Sequence, residues 1–163
     1  MIKKMMLAAA IVATLAMPAV AKNLAVPEKN PVATLSIPDS WELIEADFGY
    51  SAVSEDEEVI FSIESASGAR IDKLFEANEK WMIEQDIVPK GKAVEEELVI
   101  GGIPAKAFTY QATDAEGDTV IDFVVLPAGN NRIMLITLWA SEEGRAANKA
   151  DISDLLMSIK AIK

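Results

Sequence analysis

Residues 132–140 constrain this chain more than any other stretch. In a strand, Ile133, Leu135 and Trp139 point to one side while Met134, Ile136 and Leu138 point to the other, so no polar face is left. Such a strand has to be covered on both sides, which an antiparallel sheet can achieve when helices or further strands pack against its two faces.

Two segments can supply helices. After the Ser67-Gly68 break, Ile71, Leu74, Phe75, Asn78 and Met82 recur at helical spacing over residues 69–85, and Pro89-Lys90-Gly91 closes the segment. A second helix is expected after Ser141, whose hydroxyl suits an N-cap. Glu142 and Glu143 fall in its first turn, Ile152, Leu155, Leu156 and Ile159 share one face, and Lys160 and Lys163 sit at its C-terminal end. Ser158 and Lys160 are expected as surface and helix-end residues rather than as a catalytic pair, because positions two apart on a helix point to different sides.

Most of the remainder alternates between apolar and polar positions. Strands are predicted at residues 33–37, 41–46, 50–53, 59–63, 92–100, 105–113 and 119–126, with Val59, Phe61 and Ile63 forming the buried side of a half-buried strand. Gly101-Gly102, residues 114–117 and residues 128–131 are short connections, so the strands they join are antiparallel. The predicted fold is α+β, a single domain at residues 32–163 in which an antiparallel sheet of about six strands is sandwiched between helices.

The first 31 residues read differently. Lys3 and Lys4, an uncharged apolar run at residues 5–16 and the small-x-small pattern Ala19-Val20-Ala21 make residues 1–21 a cleavable signal peptide, with Pro18 breaking the helix before the cleavage point. The apolar run is too short for a spanning helix, and no cysteine stands at the cleavage point to take a lipid, so a periplasmic or secreted protein without a membrane anchor is expected. Residues 22–31, with Pro27 and Pro31 and no periodicity, are expected as a flexible lead-in.

Charge and missing residue types narrow the chemistry. The chain of 163 residues has a formal charge of -11, and losing the leader removes two lysines but no acid. Such a surface repels nucleic acid, and Lys90 with Lys92 is too small a basic cluster to reverse that. Neither cysteine nor histidine occurs, which excludes disulfides, thiolate or imidazole metal ligands, and Ser-His-Asp or Cys-His catalysis. A non-catalytic chain is therefore expected, and no cofactor is implied.

Three patterns, Ser36-Ile37-Pro38-Asp39-Ser40-Trp41, Gly101-Gly102-Ile103-Pro104-Ala105-Lys106-Ala107 and Leu155-Leu156-Met157-Ser158-Ile159-Lys160, occur in an order that resembles the PsbP-like superfamily. More narrowly, the chain is similar to DcrB-like and related uncharacterised bacterial envelope proteins over residues 32–163. The resemblance implies an antiparallel sheet between helices and an accessory or adaptor role; it transfers no metal site.

Two features remain as candidate sites. Asp114, Glu116 and Asp118 bracket Gly117 as half of a calcium-loop pattern would. The glycine is misplaced for that loop and the bidentate glutamate is missing, so a solvated hairpin turn is the simpler reading and a divalent-cation-responsive module the alternative. The acidic runs at residues 55–58 and 95–97 read as solubilising strand-edge charge. A carboxylate-based glycan hydrolase is a further alternative, although nothing selects a catalytic pair among 26 acids. Of Trp41, Trp81 and Trp139, Trp81 flanks the apolar stripe of its helix and is the candidate partner surface. The expected function is an exported, non-catalytic accessory domain that binds an envelope protein or a small ligand.

Overall fold

A computed structural model of the chain describes residues 21–162. Residues 1–20, which are the expected leader apart from Ala21, and Lys163 lie outside the described residues. In chain order the elements are β1 (Ala21–Val26), β2 (Ala33–Pro38), β3 (Glu42–Ala46), β4 (Gly49–Val53), β5 (Val59–Ser67), α1 (Arg70–Glu84), β6 (Val88–Pro89), β7 (Val94–Ile100), β8 (Ile103–Asp114), β9 (Gly117–Pro127), β10 (Arg132–Ala140), α2 (Glu142–Ala147), α3 (Lys149–Ser158) and β11 (Lys160–Ala161).

The strands form two antiparallel sheets. One has eight strands in the order β3-β4-β5-β10-β9-β8-β6, with β7 also paired to β8; the other has three, in the order β1-β2-β11. The large sheet therefore exceeds the six strands expected, although the α+β, single-domain class stands. The apolar strand at residues 132–140 is β10, hydrogen-bonded between β5 and β9 and covered on both faces as its composition demands.

One face of β10 packs Met134, Ile136 and Leu138 into the main core, against Phe61 and Ile63 of β5, Leu35 and Ile37 of β2, and Leu155 at the base of α3. The opposite face carries Leu135, which packs with Leu74 of α1. One cover is thus a helix, and the other is the small sheet together with α2 and α3.

Four expectations are corrected. Residues 22–26, read as part of a flexible lead-in, form β1 together with Ala21 and pair along the whole of β2, from Ala21 opposite Pro38 to Val26 opposite Ala33. The strand is short and only Val26 is fully buried, so its alternation is faint; the amide of Val32 returns to the carbonyl of Val26 at 2.7 Å and closes the Pro27 to Pro31 loop. Next, the last helix is two helices that meet at Asn148. Ser141 caps the first as expected, accepting from the Gly144 amide at 3.0 Å. Thirdly, Lys160 lies in β11 opposite Thr34 rather than at a helix end. Lastly, Ser158 is an internal clasp: its hydroxyl accepts from the Ser36 amide at 2.8 Å and donates to the Leu155 carbonyl at 2.6 Å, tying α3 to β2.

Strand β5 is likewise buried on both faces instead of one, because α1 lies over its polar side. There Glu64, 8% exposed, accepts from Asn78 Nδ2 at 2.9 Å, and Asn78 Oδ1 accepts from Thr137 Oγ1 at 3.3 Å. Burial pushes the Glu64 carboxyl above its ordinary pKa; the Asn78 bond opposes that shift and the charge of Asp47 adds to it.

Candidate functional site

At one end of the large sheet four connections meet. The turn between β4 and β5 brings Glu57 and Glu58. The β8–β9 hairpin brings Asp114, Glu116 and Asp118. The first turn of α2 adds Glu142 and Glu143, and the end of α1 adds Gln85. Together they wall a cleft of about 720 Å³ whose inner surface includes Trp139, and among the described residues no lysine or arginine lines it.

The local chain geometry explains why these groups converge. Ser54 and Asp56 are tied together: the Ser54 hydroxyl donates to Asp56 Oδ1 at 2.6 Å, and Asn148 Nδ2 donates to Asp56 Oδ2 at 2.8 Å. These bonds hold the Asp56 carboxyl below its ordinary pKa, with Ser54 the largest contributor. Glu57 is then placed at φ 62, in the left-handed region, and Glu57 and Glu58 face the cleft. Gly144 lets α2 approach this turn closely, because a Cβ there would stand 2.9 Å from the Glu58 carbonyl oxygen.

The hairpin acids are partly committed. Asp114 Oδ1 accepts from the amides of Glu116 and Gly117 at 2.9 and 3.1 Å and so closes the turn, while its Oδ2 accepts from Trp139 Nε1 at 3.2 Å. Asp118 pairs with Lys90. Glu116 has only its backbone amide engaged in the turn. Among the described residues, no three carboxylates stand close enough to hold one metal ion.

Trp81, the expected partner surface, is half-buried. Its ring meets that of Trp139 edge to face, with centroids 5.6 Å apart and an interplanar angle of 81°, and it packs in the small cluster of Ile87, Ala112 and Ile121. Trp139, on the all-apolar strand β10, is the tryptophan that reaches the cleft. The structure thereby links the two sequence candidates: Asp114 holds the indole of Trp139, and Trp139 packs on Trp81.

Sequence reasoning missed three features. Thr119, on β9, lines the cleft while only 3% exposed, and its buried hydroxyl has no hydrogen-bond partner. A lone threonine in a strand gives no advance signal of this. Arg145 of α2 donates to Asp122 Oδ2 at 2.6 Å and to the carbonyls of Val120 and Leu138 at 2.9 and 3.0 Å, fastening α2 across β9 and β10. Thr109 Oγ1 donates to the other oxygen of Asp122 at 2.6 Å, so this carboxylate is bonded on both sides. The third feature is a more open groove of about 450 Å³ at the β7–β8 hairpin, where Leu98, Val99 and Pro104 face Val125 and Pro127.

The two packed layers, the strand order and the helix placement define the class: this is a PsbP-like α+β fold carrying an acidic cleft at one end of its large sheet. Among solved structures, the chain is similar to cyanobacterial PsbP from Synechocystis sp. PCC 6803, with a TM-score of 0.59 and 9% identity over 90% of this chain and 95% of that one. It is also similar to LpqN of Mycobacterium tuberculosis, described as involved in cell envelope biogenesis, with a TM-score of 0.54 and 12% identity over 88% and 92% of the two chains. A Bacteroides thetaiotaomicron structure gives the same TM-score and identity, covering 80% of this chain but 45% of its own. These likenesses concern the fold alone. No family model and no curated protein matches the chain.

Proposed function

We propose that this chain is an exported, non-catalytic accessory domain of the bacterial envelope that works by binding, with the acidic cleft at the β8–β9 turn as its binding site. The observation that carries the reading is that cleft: three separated acidic segments and a fixed tryptophan share one concavity that no basic side chain lines. Its size lies within the range of small-ligand sites and also admits a side chain or two of a partner protein.

Supporting the non-catalytic part, the chain has neither histidine nor cysteine, and its one arginine-carboxylate pair, Arg145 with Asp122, is used to fasten α2. The leader at residues 1–21 and the PsbP-like fold, which LpqN shares, support an envelope location. No helix among the described residues is long and apolar enough to cross a membrane.

The test has two arms. Mass measurement of the protein from a periplasmic extract is expected to show loss of residues 1–21; the intact mass counts against export with cleavage. Thermal-shift screening of a metabolite panel, together with crosslinking from residues placed on the cleft rim, is expected to return a compound or protein that protects the cleft. Turnover of peptidoglycan or oligosaccharide, or a complete absence of binding at the cleft, overturns the reading.

A further inference from the structure

Resting on that reading of the cleft, we infer that its occupant is a linear alkylammonium polycation, in which several protonated amines are spaced along a flexible methylene chain. Three observations lead to this chemistry. Every charged side chain lining the cleft is a carboxylate, so the bound group carries positive charge. Those carboxylates come from three segments around the rim, and no three of them converge on a point. A compact divalent ion needs several oxygens within its small coordination shell and would be served by one segment at a time. Spread-out negative charge is matched by spread-out positive charge.

The third observation is the interior of the cleft. Trp139 offers an indole surface on which methylene groups can lie and over which an ammonium is attracted. Its ring is held by the Asp114 bond at 3.2 Å and by the edge of its contact with Trp81, so little ordering is needed on binding. Beside it, Thr119 lines the same cleft, and among the described residues its buried hydroxyl has no hydrogen-bond partner. An ammonium has only donors to offer, and a hydroxyl oxygen has lone pairs to accept them. Gln85 and Gln111 add amide oxygens elsewhere in the cleft lining.

The required chemistry occurs in free polyamines and in lysine side chains set along a partner's polypeptide. Isothermal titration of the mature domain with spermidine and, separately, with tetralysine distinguishes the two sources. Saturable one-to-one binding of either supports the inference, and the tighter of the two names the source. Thr119→Val keeps the side-chain shape and is expected to weaken that binding about fivefold. The pair Glu57→Gln with Glu142→Gln is expected to weaken it about tenfold. Glu76→Gln with Glu96→Gln makes the same change in net charge away from the cleft and is expected to weaken it less than about twofold.

Three results overturn the inference: no saturable binding of either probe; calcium binding as tightly as spermidine with the same loss in the cleft variants; or equal weakening by the cleft pair and the remote pair. If spermidine and tetralysine fail while a neutral or anionic compound protects the cleft, the cationic inference falls and the binding role stands. If nothing protects the cleft, both fall.

Discussion

Substituting Asn78 by alanine tests how α1 is held on the sheet. Glu64 is enclosed by β4 and β10, opposite Gly49 on one side and Leu135 on the other, with α1 above it. Among the described residues its one side-chain partner is Asn78 Nδ2 at 2.9 Å. Asn78→Ala removes that donor and the acceptor of Thr137 Oγ1, leaving two buried polar groups unpaired beneath the helix. A buried group left unsatisfied costs about 1–3 kcal/mol, so the pair amounts to about 3 kcal/mol. For a domain of this size that lowers Tm by about 6–12 °C.

The pH dependence carries the sharper signature. Glu64 titrates above its ordinary value in the folded protein, first because of burial and also because of Asp47, so the folded state binds this proton more tightly than the unfolded chain does. Stability contributed by protonation is present at and below the unfolded value and is lost as pH rises through the raised folded value. Above that window the charged carboxylate sits under α1 at full cost. Glu64→Gln removes the titration and keeps an acceptor for Asn78. Its stability relative to the parent is therefore expected to improve as pH is raised from about 4.5 to about 8, measured by circular-dichroism melts of both proteins in parallel. A difference between the two proteins that is constant across that range, or an Asn78→Ala cost below about 1 kcal/mol, would show that Glu64 is neither desolvated nor dependent on Asn78.

Arg145→Ala removes the guanidinium donor from Asp122 Oδ2 and from two strand carbonyls, leaving Asp122 with Thr109 alone; a loss of about 2–4 kcal/mol in urea unfolding is expected, with α2 the first segment to gain amide exchange. Gly101→Ala forces a Cβ to 2.1 Å from the Ile159 carbonyl oxygen at a residue with φ +58, and is expected to lower the urea midpoint by more than Gly91→Ala, where nothing lies within 4 Å. Ser158→Ala breaks the clasp between α3 and β2 and is expected to cost about 1 kcal/mol, read from the same titration.

Much of the architecture is legible in residues 132–140, because an apolar strand without a polar face admits few surroundings. The Ser141 cap, α1 and most hairpins follow from local chemistry. What the sequence conceals is pairing between distant segments. Residues 21–26 become a strand only because β2 offers them a full register, and β11 follows from docking on the same strand. Polar residues mislead for the same reason: Asp122 and Glu64 look solvent-facing along their strands, and become half-buried and buried respectively once Arg145 and Asn78 are laid over them. The acids at 57–58 and 114–118 and Trp139 were visible individually, but their convergence depends on the β5-β10-β9-β8 order.

Strand β2 is also a timing device. Its β1 partner lies just before it in the chain, whereas the residues that pair with its other edge, Lys160 and Ala161, lie more than a hundred positions away, as does its bond from Ser36 to Ser158. A chain delivered from its N-terminus, whether by a ribosome or through a translocation pore, presents β2 long before α3 and β11 can arrive. Until residue 161 has emerged, Leu35 and Ile37 lack the Leu155 and Ile159 side of their core, and one edge of β2 stays open. The small sheet is therefore completed only when the C-terminal residues arrive, and until then β2 presents an unpaired strand edge.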